Sequence, residues 1–200
     1  MKQLNREAGR WSQARWVASP NANARPEGEV SVVVVHSISL PPGEFGGDAI
    51  EALFTNRLDA DGHPFFAQLA ALRVSAHFLI RRDGECVQFV DTERRAWHAG
   101  RSRWWDPQAG RERQALNDFS VGVELEGDDY TPFTRVQYAT LAALTGWLTA
   151  RYEALDTTRI TGHAKIAPLR KTDPGPAFDW AYFAQTLSRC RAQGRRQRVR

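Results

Sequence analysis

The stretch 29–37, EVSVVVVHS, is dominated by valine and ends near a histidine, His36. A short apolar run without polar alternation is typical of a strand that is buried on both faces. Such strands occur in sheets that are covered by helices on each side. The stretch therefore predicts a central strand from Val30 to Val35, with His36 at its end.

Strands and helices interleave along the rest of the chain. The pair Asp83-Gly84 between two apolar runs predicts a hairpin, because both turn residues tolerate a positive φ. Thr134 followed by Gln137 has the capping-box pattern of a helix start, and the apolar residues Val136, Ala143 and Leu144 then recur at helical spacing. Further predicted strands are 76–81, 85–90, 120–126 and one at Ile160, and further predicted helices are 49–54 and 180–187. This order predicts an α/β fold: a single domain with a central mixed β-sheet and helices packed on its faces.

The charge of the chain is concentrated at its end. The net charge is +4, but six arginines lie between 189 and 200, and the other 21 basic residues are outnumbered by 23 acidic ones. We therefore expect a domain over 1–188, followed by a basic, flexible tail over 189–200. A slightly acidic body gives no reason to expect a nucleic-acid partner.

The composition limits where the protein acts. No stretch approaches the roughly 20 apolar residues that are needed to span a bilayer, so we expect no membrane partner. The first residues, MKQLNREAGRW, lack the apolar segment of a secretory signal. The two cysteines have no paired spacing and are expected to be reduced thiols. Together these features favour a cytoplasmic protein.

Four residues that are suited to metal chemistry lie in two short segments. His163, Lys171 and Asp173 share the segment TGHAKIAPLRKTDPGP, and His36 lies far upstream. Two imidazoles and a carboxylate make a three-ligand zinc site that leaves one position for water, which implies hydrolysis. Each residue alone has an ordinary explanation, such as a turn aspartate or a surface lysine. Only the combination indicates a site.

Several long motifs give the chain a family resemblance. The segments VVHSISLPPGEFGG, RVSAHFLIRRDGE, RAWHAG, NDFSVGVELEG and TGHAKIAPLRKTDPGPAFDW resemble the 1,6-anhydro-N-acetylmuramyl-L-alanine amidases. That family belongs to the zinc N-acetylmuramoyl-L-alanine amidases and is related to phage lysozyme-type amidases and peptidoglycan recognition proteins. The resemblance runs in order from about residue 11 to about residue 187, which leaves only the arginine-rich end outside.

The resemblance implies an active site. It makes His36, His163 and Asp173 the ligands of one Zn²⁺ per chain. It makes Glu124 the proton shuttle and Lys171 the group that stabilises the oxyanion. Glu126 lies on the same side of the predicted strand, so the strand pattern alone does not choose between the two glutamates. His77 is a rival ligand, to which we assign a packing role or a role in supporting the ligands. His98 and His63 are expected to be loop or pocket-wall residues and not ligands.

The resemblance also implies a substrate. The family cleaves the amide between N-acetylmuramic acid and L-alanine, with a preference for 1,6-anhydro sugars in cytoplasmic peptidoglycan recycling. We expect a small-molecule muropeptide as the only partner of a monomeric enzyme. Trp97 would face the sugar, whereas Arg73 and Arg113 would bind peptide carboxylates. Ser37 stands near the peptide, where the family commonly has asparagine, and 101–113 is longer than usual; both changes concern substrate preference.

Three other classes of protein fit parts of this pattern. A peptidoglycan-binding module of the same family would lack a metal ligand, whereas all three are present here. A phage-type lytic amidase would use the same chemistry on the intact cell wall. A metal-dependent deacetylase or peptidase would use similar ligands without the long motifs.

Outside the candidate site, 40–66 is rich in proline and glycine and is expected to form a loop of the kind that covers active sites.

Overall fold

The computed structural model describes residues 9–198, with side chains to residue 193. Six strands form the main sheet, in the order β1-β5-β4-β9-β3-β10, and two small two-stranded sheets pair β2 with β6 and β7 with β8. The strands are β1 Arg15–Trp16, β2 Ala22–Ala24, β3 Val32–Ile38, β4 Phe78–Ile80, β5 Cys86–Gln88, β6 Arg94–Ala96, β7 Arg103–Asp106, β8 Arg111–Gln114, β9 Ser120–Glu126 and β10 Ile160–Gly162. The helices are α1 Ala49–Phe54, α2 Arg135–Arg151, α3 His163–Ile166 and α4 Trp180–Arg198.

The sheet is mixed, as the sequence predicts. Strands β4, β9, β3 and β10 are mutually parallel, and β5 is antiparallel to β4 through the predicted hairpin. Strand β3 lies between β9 and β10, and its valines 32–35 are fully buried. The α/β fold with a central mixed sheet and flanking helices is confirmed by this topology.

One face of the sheet packs against α2 and α4. Val121, Val123 and Leu125 of β9 contribute to this core, together with apolar residues of both helices. The predicted capping box is present: the Thr134 hydroxyl accepts from the Gln137 amide, and the Gln137 side chain accepts from the Thr134 amide. The predicted apolar face of α2 was partly wrong, since Val136 is 49% exposed. Leu144, which the spacing selected, is buried, and the buried face of the helix also includes Leu141 and Leu148.

The other face carries two smaller apolar clusters. One lies beneath α1 and includes Leu79 and Phe89, and the other includes Val34 and Ile166. Parallel strands end at a common edge, so the ends of β9, β3 and β10 lie side by side at that edge. This edge of the sheet carries the residues that the sequence analysis selected.

The last helix is longer than predicted. The sequence analysis ended it at Leu187, whereas α4 is helical to Arg198. The backbone of 189–198 therefore continues the helix, and the flexibility expected of this segment stays a prediction. Residues 199–200 and the side chains beyond 193 lie outside the described part of the chain, so the division at 188 stays a prediction.

Most of the segment 101–113, which is expected to be longer than usual, forms the hairpin β7–β8. Buried Asp106 binds the Arg159 guanidinium through both carboxylate oxygens, at 3.0 and 2.9 Å, and so ties the hairpin to the chain just before β10. Trp104 lies against the same guanidinium, and Trp105 is 62% exposed.

Among residues 9–198, the helices are all too short or too polar to cross a lipid bilayer.

Candidate metal centre and active site

The register of three neighbouring parallel strands places the first site residues together. In the pairing of β3 with β9, His36 lies opposite Glu124. In the pairing of β10 with β3, Gly162 lies opposite Val35, so the next residue, His163, reaches the level of His36. Side chains that are 127 residues apart in sequence thus become neighbours, because three strands end at one edge of the sheet.

The segment after α3 brings Asp173 to the two histidines. The Ala164 amide at the start of α3 donates to the carbonyl of Asp173 at 2.8 Å. Pro174 packs against Gly162, where an added Cβ would lie 2.8 Å from the proline Cδ. A larger residue at 162 would therefore displace the turn that holds Asp173.

Three donor atoms converge on one point. His36 Nδ1 lies 3.0 Å from His163 Nδ1, and Asp173 Oδ2 lies 2.9 Å from the former and 3.0 Å from the latter. Four-coordinate zinc with ligand bonds of 2.0–2.2 Å needs tetrahedral ligand atoms ~3.3 Å apart, so a shift of a few tenths of an ångström would admit the ion. The described residues contain this one cluster of three metal-ligand side chains, and it fits a cation that takes nitrogen and oxygen donors.

The electrostatics of the cluster favour a bound cation. Burial lowers the pKa of His36 to about 4 and so keeps its imidazole neutral, although the Asp173 carboxylate, 2.9 Å away, opposes this shift. Burial opposes ionisation of Asp173, but its contacts with His163 and His36 hold the pKa of that carboxyl well below its usual range. A neutral imidazole at His36 and an ionised carboxylate at Asp173 are the protonation states in which these groups bind metal.

Glu124 lies beside this cluster with a carboxylate oxygen that has no partner. Its Oε2 is buried without a hydrogen bond, although the residue lies directly opposite His36. Burial and the charge of Asp173 raise the pKa of Glu124 well above its ordinary value, and Lys171 opposes this shift. A buried carboxyl with a raised pKa can hold and return a proton near neutral pH, which is the property of a general acid–base catalyst.

Glu126, the other glutamate that the strand pattern allowed as proton shuttle, already accepts two hydrogen bonds. Its two carboxylate oxygens accept from the Gly46 amide at 2.6 Å and from the Arg82 amide at 3.0 Å. The first contact ties the 40–66 loop to β9, and the second holds the turn after β4. These contacts give Glu126 a structural role and leave Glu124 as the candidate that faces the cluster.

Lys171 lies in the loop that leads to Asp173. Its amide donates to the Ala167 carbonyl at 3.1 Å, and its side chain is exposed to solvent. The ammonium is close enough to influence the pKa of both His36 and Glu124. The structure therefore brings an exposed positive charge beside the cluster, and Lys171 is not one of the metal-ligand residues.

His77 lies outside the cluster. Its Nδ1 accepts from the Gly122 amide at 3.0 Å, so in the neutral ring Nε2 carries the proton, and this nitrogen is 3.0 Å from the Arg94 carbonyl. Burial and the charge of Arg25 lower its pKa to about 3. Both ring nitrogens are thus engaged with the backbone, which agrees with the packing role that we assigned to this residue.

The sequence analysis underrated His98. We assigned it to a loop or a pocket wall, but its Nδ1 lies 2.9 Å from His36 Nε2, on the side of that ring away from Asp173. The only sequence signal was the position of His98 within RAWHAG, which does not show where the ring points. The contact depends on β9, because Gly122 leaves room for the imidazole.

The four residues predicted to bind substrate are not brought together by direct contacts. Arg73 is exposed and donates to the carbonyls of Ala70 and Leu72, both at 3.1 Å. Arg113 donates to both oxygens of Glu29 and also contacts Asp106, so a substrate carboxylate would have to displace an existing ion pair. The Trp97 indole donates to Asn23, and Ser37 is half-buried in β3. Their substrate roles stay predictions.

A model of a known protein family matches residues 26–176 of the chain. The family is described as N-acetylmuramoyl-L-alanine amidase. The match covers the whole span from before β3 to after Asp173 and so includes every residue of the cluster.

Several relatives are similar over nearly their entire length. The 1,6-anhydro-N-acetylmuramyl-L-alanine amidase AmpD of Enterobacter cloacae is 56% identical over 91% of this chain and 94% of its own. The protein of the same name from Escherichia coli K12 is 56% identical over 88% of this chain and 93% of its own. The crystal structure of a selenomethionine AmpD derivative has a TM-score of 0.83 at 55% identity, and covers 90% of this chain and 97% of that chain. The complex of E. coli AmiD with anhydro-N-acetylmuramic acid-L-Ala-D-γ-Glu-L-Lys is more distant, with a TM-score of 0.55 at 29% identity over 88% of this chain and 60% of that chain.

Proposed function

The chain belongs to the N-acetylmuramoyl-L-alanine amidase family, and we propose that it hydrolyses the amide between 1,6-anhydro-N-acetylmuramic acid and L-alanine with one bound zinc ion. The observation that carries the proposal is the convergence of three metal-ligand atoms beside a buried carboxylate without a partner. Relatives named for this activity match nearly the full length of the chain, which supports the same substrate here.

His36, His163 and Asp173 would hold the zinc. The two imidazoles contribute Nδ1 atoms and the aspartate contributes one oxygen, a donor set that suits this ion. When bound, zinc supplies a Lewis acid and a hydroxide nucleophile at neutral pH. The three residues would hold the ion at the sheet edge, and a site with three protein ligands leaves one position for water.

Glu124 would move the proton in this reaction. Its free carboxylate takes a proton from the attacking water as the new carbon–oxygen bond forms. It then gives that proton to the nitrogen of L-alanine as the carbon–nitrogen bond breaks. The products are the free carboxyl group of the muramic acid and a peptide with a free amine, so atoms and charges balance.

Lys171 would act on the transition state. We expect Lys171→Ala to lower kcat by ~10²–10³-fold, the usual cost of a lost oxyanion donor, with little change in KM. Bound zinc should stay at the wild-type level, because the ammonium is not a ligand. Steady-state kinetics and metal analysis of Lys171→Ala and of the exposed control Lys165→Ala test this role. A near-normal kcat for Lys171→Ala would refute it.

The substrate proposal separates a recycling enzyme from a lytic one. Purified protein should release peptide from 1,6-anhydro-N-acetylmuramyl tripeptide in a reaction that a zinc chelator stops. Intact sacculi offered at the same muramic acid concentration should be cut far more slowly. Equal or faster cleavage of sacculi would favour the lytic amidase, and binding without cleavage of either would favour the recognition module.

We also propose that the protein acts as a cytoplasmic monomer. The muropeptide is a small, soluble substrate, and the candidate metal centre takes all its residues from one chain. Light scattering at micromolar concentration tests the monomer, and fractionation of the source cells tests the compartment.

A further inference from the structure

A chain of hydrogen bonds lies behind the candidate metal centre and begins at a backbone carbonyl. The Ser120 hydroxyl lies 2.5 Å from the Leu116 carbonyl oxygen and 3.2 Å from His98 Nε2. A carbonyl can only accept, so the single hydroxyl proton is committed to Leu116. Ser120 Oγ therefore accepts from His98, and the proton of that ring lies on Nε2.

The position of the proton on His98 determines the tautomer of His36. A neutral imidazole has one donor nitrogen and one acceptor nitrogen, so His98 Nδ1 is an acceptor. It lies 2.9 Å from His36 Nε2, which must then donate. The lone pair of His36 is thereby placed on Nδ1, the atom that lies within 3.0 Å of both His163 Nδ1 and Asp173 Oδ2.

The backbone around His98 supports both histidines of the cluster. The Asn117 side-chain oxygen accepts from the amides of His98 and Ala99, at 3.1 and 2.8 Å. The Ala99 carbonyl in turn lies 3.2 Å from His163 Nε2, which donates to it and leaves the His163 lone pair on Nδ1.

The His98 ring fits only because position 122 has no side chain. An added Cβ at Gly122 would lie 2.4 Å from His98 Cγ, which is closer than real contacts allow. One short segment, 98–99, thus orients the ligand nitrogens of both His36 and His163.

We infer that His98 is a positioning residue of the metal centre: through the chain Leu116–Ser120–His98–His36, it fixes the tautomer and ring orientation in which His36 binds metal. The inference rests on the proposed zinc site but assigns His98 no contact with zinc or substrate. Hydrogen bonds of this kind to a metal-binding histidine are commonly worth 10–100-fold in affinity.

The test is the affinity for zinc, measured by competition of the holoprotein with the chelator 4-(2-pyridylazo)resorcinol. His98→Leu should raise the zinc dissociation constant by ~10–100-fold. His98→Asn can keep an acceptor near the position of Nδ1 and should recover most of the loss, and Ser120→Ala should fall between. Leu148→Ala, in the core on the opposite face of the sheet, controls for lower stability and should bind zinc as the wild type does.

A second readout follows the tautomer directly. Long-range proton–nitrogen correlation spectra of the metal-free protein should show the His36 proton on Nε2 in the wild type and a shift towards Nδ1 in His98→Leu. Wild-type zinc affinity in His98→Leu, equal losses in His98→Leu and His98→Asn, or a wild-type His36 proton on Nδ1 would overturn the inference. Failure of the wild-type protein to bind zinc would instead refute the proposed function, so the two failures are distinguishable.

Discussion

Glu124→Gln is expected to lower kcat by ~10²–10⁴-fold, the usual contribution of a positioned general acid–base group. The amide keeps the size of the side chain but cannot accept and return a proton. Because Glu124 lies beside the metal cluster and does not belong to it, the variant should retain its zinc. Steady-state turnover of the anhydro-muropeptide and metal analysis of the same sample give both quantities.

Glu126→Gln is the matched control. It makes the same chemical change two residues away on the same strand. Its carboxylate accepts hydrogen bonds from the backbone amides of Gly46 and Arg82. In the glutamine variant, the side-chain NH₂ group would face one of these N–H donors, at a cost of ~1–3 kcal/mol in stability. We expect a lower Tm and a kcat close to that of the wild type. If Glu126→Gln lost more turnover than Glu124→Gln, the roles of the two residues would be reversed.

His163→Ala should have the larger effect of the two active-site changes. Removal of one of three ligands leaves two donors, and we expect bound zinc to fall well below the wild-type content and turnover to fall more than the ~10⁴-fold upper limit for Glu124. His63→Ala is the control, since His63 lies in the 40–66 loop and its ring accepts only from the nearby Phe65 amide. A His163→Ala protein that kept its zinc and turned over substrate would show that the ion is held elsewhere.

The elements with strong local signals could be predicted from the sequence. The valine run in β3, the Asp83-Gly84 hairpin and the Thr134 capping box each depend on neighbouring residues and are present in the structure. The end of α4 had no such signal: no glycine or proline follows Leu187 closely, so the helix continues past the point at which its apolar pattern stops. The buried face of α2 was set by contacts with the sheet and α4, which helical spacing alone does not determine.

In the candidate site, too, some residues could be predicted from the sequence and others depend on contacts between distant segments. His36, His163 and Asp173 could be selected because their residue types and motifs are unusual together. The choice between Glu124 and Glu126 could not be made from strand alternation, since both lie on one face; it depends on the amides of Gly46 and Arg82, which are distant in sequence. The contact of His98 with His36 was also missed, because the space for the ring is created by Gly122 on a different strand.

The central claim is that one zinc ion, held by His36, His163 and Asp173, makes this chain an amidase. Its most direct test is a titration of metal-free protein with zinc, followed by the initial rate of peptide release from 1,6-anhydro-N-acetylmuramyl tripeptide. We predict no turnover without metal and a rate that rises linearly to a plateau at about one equivalent of zinc per chain. Full turnover by the folded, metal-free protein, or an initial rate that does not change as zinc is added, would contradict the account.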